Sequence, residues 1–295
     1  MSRCSALLAG LVVVVLSPLA FSQCTFTHIK IAGGINPHGE GVNKYDTVVG
    51  SYTDSVTQQS RGFRWSGGHS TTHNYPGAIA TSFHANNDLG AIVGEYVDSK
   101  NQTHGLEFFQ GQWYAIDYPG AQSTSARGIN NTGTIVGSFI KPGETNSHGF
   151  IKSTAGWKQV DFPQAQWTAV TGINVFGDIV GNYHIAIPGT HTFMLYTGGT
   201  STFIDFPGAV SSIGTGINRW HTVVGYYLLD DSPPLDMIPV AFARQVNNTY
   251  YAFGLPYPVV ATAYAGVNNL GDKTGWANND GGVGNFAFLK VCPGA

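Results

Sequence analysis

A chain of 295 residues would ordinarily fold as one large or two medium domains. Aromatics at 13% exclude a disordered chain, and a formal charge of −3 gives no general attraction for nucleic acid or an anionic membrane.

The chain opens with Arg3 and an apolar run over 7–20, the length of a secretion signal rather than of a membrane span. Ala20-Phe21-Ser22 puts small residues at the −3 and −1 positions of a cleavage site. This predicts a signal peptide over 1–22 and a single mature domain over 23–295. An uncleaved anchor is the alternative. A lipoprotein fits less well, because Phe21-Ser22-Gln23 lacks the small residue that precedes a lipidated cysteine. No later stretch could cross a bilayer, so no membrane insertion is expected once the signal is removed. Cys4 leaves with the signal; Cys24 and Cys292 stay, near the two ends of the mature chain. In an oxidising compartment they are expected to pair, and their spacing suits neither a CxxC redox pair nor a zinc site.

From residue 41 one phrase recurs six times. Its fullest copy is Gly128-Ile129-Asn130-Asn131-Thr132-Gly133-Thr134-Ile135-Val136-Gly137. Copies start at 41, 85, 128, 172, 216 and 266, in steps of 44, 43, 44, 44 and 50. A fixed period of this size signals a solenoid, a propeller or an array. One period holds four extended pieces, 126–130, 134–140, 148–152 and 157–162. In the 131–133 turn, Asn accepts left-handed angles and bonds its own backbone, and Gly supplies the positive φ. The second piece has adjacent rather than alternating apolar residues, as in a strand covered on both faces. The Gly ending each copy (50, 94, 137, 181, 225, 275) is expected to let a neighbouring unit approach closely. An aromatic two residues later, at Tyr52, Tyr96, Phe139, Tyr183 and Tyr227, is expected to fill the space between units. The sixth copy departs, with Lys273 in an aliphatic position and Trp276 one place early.

A second phrase, Asp-aromatic-Pro-Gly-Ala, closes the fourth piece at 117–121 and 205–209, with variants at 74–78 and 161–165. Each begins 11 residues before the next copy, and 11 before Gly41 is Lys30. The mature chain therefore begins with an orphan fourth strand, and it ends with a third strand over 285–290 that no fourth follows. The first strand would complete the last unit, and a Cys24–Cys292 disulfide would clasp the seam. The expected fold is all-β: a six-bladed β-propeller of four-stranded antiparallel blades, its ring closed by the N-terminal strand. An open β-solenoid is the rival, and it needs no such exchange of strands.

The repeats resemble the HAF-type extracellular repeats, named for a His-Ala-Phe motif. Here it stands as His148-Gly149-Phe150, His104-Gly105-Leu106 and His191-Thr192-Phe193, and more loosely as Arg61-Gly62-Phe63 and Val240-Ala241-Phe242. The resemblance covers the mature chain. It implies export and a propeller-like repeat, and it transfers no catalytic residue.

His104, His148 and His191 are followed by Asp117, Asp161 and Asp205, but one pair per repeat means separate blades and points to a structural role. No Ser stands in a Gly-x-Ser-x-Gly elbow, and Gly281-Gly282-Val283-Gly284 lacks the following helix of a phosphate loop. Positions where the repeats differ are more telling. The loops between second and third strands share a rim with the blade-to-blade crossings, and they carry Asp98, Lys100, Lys141 and Glu144. The longest of them holds Asp230, Asp231 and Asp236 around Pro233-Pro234. Three carboxylates could hold Ca²⁺, but without an EF-hand pattern a solvated acidic loop is expected, and no cofactor. Trp167 replaces the small residues of other repeats and offers a platform for a sugar ring or an apolar partner, with burial between blades as the alternative. His84, just before the second copy, is expected to face the channel.

His84, Asp98, Lys100, Lys141, Glu144, Trp167, Asp230 and Asp231 are thus the candidate binding residues, on one rim and the channel mouth. The expected protein is a secreted or periplasmic monomer, a non-catalytic module recognising an extracellular carbohydrate or protein. One alternative is a polysaccharide lyase or glycoside hydrolase whose charged residues converge across blades. The other is a structural surface protein with no specific ligand.

Overall fold

The computed structural model describes residues 24–186, 189–229, 238–255, 259–279 and 285–292. Residues 1–22, read above as a signal peptide, and Asp230, Asp231 and Asp236 fall outside them. The described residues form 24 strands in six four-stranded sheets, all antiparallel and arranged as blades around an axis. Blade 3 shows the unit: Ser123–Ile129 innermost, then Ile135–Ile140, Ser147–Ser153 and Gly156–Val160. Counted by first and last residue, blade 1 covers 34–73, blade 2 covers 80–115, blade 4 covers 167–203 and blade 5 covers 211–253.

Blade 6 closes the ring as expected. It takes three strands from the end of the chain, and its outermost strand is Thr25–Ile29, paired antiparallel with Asn285–Val291. Thr25 faces Val291 and Ile29 faces Ala287. Beyond that pair Cys24 and Cys292 are disulfide-bonded, with Cα atoms 4.2 Å apart.

The Asp-aromatic-Pro-Gly-Ala phrase is a connector rather than the end of a strand, because Pro cannot join a ladder. In blade 3 the outermost strand stops at Val160, before Asp161. Ala121 N–H bonds back to Tyr118 O at 3.0 Å, with Pro119 and Gly120 (φ +74°) between them, the geometry of a type II turn. The turn throws its aromatic onto the next blade. Tyr75 stacks on Tyr96 at 3.7 Å, Tyr118 on Phe139 at 3.7 Å, Phe162 on Tyr183 at 3.9 Å and Phe206 on Tyr227 at 3.8 Å. The aromatics fill the inter-blade space as the sequence predicts.

The Gly ending each copy has a different task from the one expected. Every innermost strand carries a β-bulge just before its copy begins, between Ala126 and Gly128 in blade 3. The bulge pushes a carbonyl over the second strand of the same blade: a Cβ on Gly137 would lie 2.0 Å from Ser125 O, and one on Gly94 2.0 Å from Ser82 O. Blades meet instead at the first residue of each copy. A Cβ there would come 3.1 Å from Gly216 Cα at Gly172, 3.1 Å from Gly41 Cα at Gly266 and 2.7 Å from Ala85 Cα at Gly41. Backbone packs on backbone at the axis.

Just beyond that contact runs a ladder of asparagines, Asn43, Asn87, Asn130, Asn174, Asn218 and Asn268, none more than 6% exposed. Asn130 Oδ1 accepts the N–H groups of Thr132 at 3.1 Å and Thr134 at 3.0 Å, while its Nδ2 donates to Asn174 O at 3.1 Å. Asn43, Asn87 and Asn218 likewise donate to the next blade, and Asn268 returns to Asn43 O at 3.0 Å. Asn174 departs and donates to Asp178 Oδ2 at 3.1 Å. The turn thus belongs to Asn130, not to Asn131, where the sequence placed it. Asn130→Ala leaves buried amide and carbonyl groups unpaired and is expected to cost about 2–4 kcal/mol, read from urea unfolding and exceeding the loss in Asn131→Ala.

Candidate functional site

A bulge re-aims the extra side chain. Glu40, His84, Arg127, Thr171, Thr215 and Ala265 stand at the six bulges, and together they line an axial cavity of about 70 Å³. His84 therefore faces the channel, as expected. Its Nε2 is 3.5 Å from Glu95 Oε2, and Arg127 Nη2 is 4.0 Å from the same oxygen. Burial alone would raise the Glu95 carboxyl, but His84, Arg127 and Ser125 overcome it and hold the group well below the usual carboxylate range. Burial, with Glu40 adding to it, raises the Tyr226 phenol. Thr171 and Thr215 donate to Gly214 O at 2.7 Å and Tyr264 O at 2.9 Å, tying blade to blade. The mouth is an ion-paired plug with space for a few waters and none for a sugar ring.

On the rim of second-to-third-strand loops, the acidic candidates Asp98 and Glu144 are engaged within their own blades. Asp98 accepts the N–H groups of Lys100 at 2.8 Å and Gln102 at 2.9 Å and lies 3.6 Å from His104 Nε2. Glu144 Oε2 lies 2.7 Å from His148 Nε2. The same imidazoles face Asp117 and Asp161 through Nδ1 at 2.9 and 3.0 Å, and His191 faces Asp205 at 2.9 Å. These pairs stand once per blade and do not converge. Lys100 is exposed, and Lys141 and Trp167 are half-buried. The Trp167 ring lies nearly parallel to that of His184 at 6.3 Å. The described candidates therefore divide, His84 at the axis and the others around blades 2, 3 and 4. Among the described residues no group of three or more His, Cys, Asp or Glu could hold a metal ion.

A cavity of about 670 Å³ opens on the opposite rim between blades 5 and 6. It exists where the sixth copy breaks the pattern. Val48, Ile92, Ile135, Ile179 and Val223 occupy one core position in the other blades, none more than 2% exposed. Blade 6 has Lys273 there, facing Lys290 across the strand pair. Lys290 Nζ sits 3.8 Å from the Phe253 ring centre and donates to Tyr264 OH at 3.1 Å. Burial, and then the charge of Lys273, lowers Lys290 to about 8. Burial also lowers Lys273, with Asp272 opposing, and its Nζ donates to Gly271 O at 2.6 Å. Trp220 and Tyr251 line the same pocket at 60% and 52% exposure. Trp220 is tethered, its Nε1 donating to Asn269 O at 3.2 Å and Arg219 lying 4.8 Å over its ring.

Sequence reasoning flagged Lys273 but missed Trp220. The signal was available: two places after each ladder Asn stand Tyr45, Leu89, Phe176, Trp220 and Leu270, all large, apolar and more than half exposed. Blade 3 alone has Thr132 there.

No protein-family model and no curated protein matches the chain. Solved structures do. A structural-genomics target provisionally named a gluconolactonase aligns over 92% of each chain, with a TM-score of 0.52 at 12% identity. A PQQ-bound aldose sugar dehydrogenase from Streptomyces coelicolor covers 92% of this chain and 99% of its own, with a TM-score of 0.51 at 9% identity. A lectin from Aleuria aurantia, in complex with Fucalpha1-6GlcNAc, covers 91% of this chain and 99% of its own, with a TM-score of 0.51 at 10% identity. At such identities the likeness speaks for the ring alone: the chain is a six-bladed β-propeller.

Proposed function

We propose that the protein is a non-catalytic recognition module for an extracellular carbohydrate, with its seat in the pocket between blades 5 and 6. The observation that carries this reading is the pocket's lining: tethered Trp220, exposed Tyr251 and amide or hydroxyl groups of Gln245, Asn247 and Thr222, with no carboxylate and no imidazole among the described residues. Aromatic faces with nearby polar groups suit sugar rings, and the volume falls within the range of about 300–1,000 Å³ usual for small-molecule sites. A glycosidase needs paired carboxylates at the substrate, which the described lining does not supply. Export is part of the proposal, supported by the Cys24–Cys292 disulfide and the signal-like N-terminus. So is membership of the HAF-type repeats, supported by the recurrent His-x-Phe pieces.

A glycan array with a parallel turnover screen of the mature protein tests the reading. Binding is expected without soluble product, and Trp220→Ala is expected to weaken it at least tenfold. Product released from a polysaccharide would overturn the non-catalytic reading. Failure to retain any glycan would overturn the carbohydrate reading.

A further inference from the structure

Five blades place Val or Ile where blade 6 places Lys273, and that exchange puts two cations side by side. Like charges facing each other across a strand pair are destabilising, and burial adds to the cost. Among the described residues no carboxylate oxygen lies within 4.0 Å of either Nζ. Among the described residues each ammonium has one neutral hydrogen-bond acceptor, Gly271 O for Lys273 and Tyr264 OH for Lys290, and Lys290 also lies over the Phe253 ring. An ammonium offers three donors, so both retain capacity on the side of the pocket. Two under-partnered cations in an aromatic cavity are the lining expected for an anion carried on an apolar-faced ring.

Resting on the recognition reading above, we propose that this pocket binds an acidic sugar, its carboxylate held between Lys273 and Lys290 and its ring on Trp220. The attraction is local, because the chain's formal charge of −3 repels anions at a distance. The lowered Lys290 agrees with this, since burial without a counter-ion destabilises the charged amine and a bound carboxylate relieves it. The site chooses among sugars by charge, with neutral saccharides left only the aromatic platform.

The test is calorimetry on the intact mature protein with trigalacturonic acid, sialyllactose and neutral galactotriose. At least one acidic ligand is expected to bind at one site per chain, at least tenfold tighter than galactotriose, and the two acidic arms tell a uronate from a sialate. Lys273→Ile installs the residue type the other blades carry, so it is expected to fold. It is expected to weaken the acidic ligands at least tenfold more than galactotriose and so to abolish the acidic preference. Lys290→Met is expected to do the same, and Lys290→Arg to retain the preference. Equal affinity for acidic and neutral saccharides, or acidic binding untouched in both charge-removing variants, would overturn the acidic-sugar assignment and leave the recognition reading standing. If no saccharide binds, the recognition reading falls and takes the assignment with it.

Discussion

Opening the Cys24–Cys292 disulfide is expected to cost about 5 kcal/mol. The bond spans 268 residues of the 295, so its removal frees the unfolded ensemble of a very long closed loop. The native side loses as well. Thr25–Ile29 is held to the ring through one short ladder, and Ile29, 1% exposed, is its main anchor in the core. Without the covalent link that strand frays, exposing the edge at Asn285–Val291. Urea unfolding with and without reductant measures the loss. The Cys24→Ser, Cys292→Ser double variant is expected to match the reduced protein and to ignore further reductant. A difference below about 1 kcal/mol would mean that the strand pair alone holds the seam.

Gly137→Ala is expected to cost at least about 3 kcal/mol, although it adds one methyl group. The new Cβ would lie 2.0 Å from Ser125 O and 2.8 Å from Phe150 Cε1. The first obstacle is backbone held by the bulge at Ala126/Gly128, so relief requires undoing the bulge. Undoing it would withdraw Arg127 from the axis. Gly133→Ala is the instructive control. Gly133 has open space around its Cβ position but a φ of +78°, so its penalty is conformational and expected near 1 kcal/mol. Thermal or urea unfolding of the two variants separates steric from conformational need, and equal losses would refute the bulge explanation.

Those two glycines show where the sequence was legible and where it was not. Periodicity gave the number of blades, and counting 11 residues back from Gly41 gave the closing strand, because both are properties of order along the chain. The reason for Gly137 was not legible, since nothing in a linear motif tells a neighbour in the same blade from one in the next. Asp98 and Glu144 looked like free rim charges. Their engagement with His104 and His148 depends on how far loops fold back, which spacing does not reveal. His84 was placed correctly, and its position generalises: the residue before each copy is the bulge residue, and reading all six would have shown Glu40 and Arg127 beside it. The pocket between blades 5 and 6 arises from what two blades fail to fill; Lys273 marked it in the sequence, and the exposed-apolar position that holds Trp220 was there to be read.

The composite blade also has a temporal meaning. Its outer strand precedes every other described strand along the chain and the partner of that strand follows them all, so the ring stays open until Asn285–Val291 has been made. Tyr264, Lys273 and Lys290 all belong to this late-completed sheet. A chain cut short before Asn285 therefore carries neither a closed ring nor the Lys290 side of the pocket between blades 5 and 6.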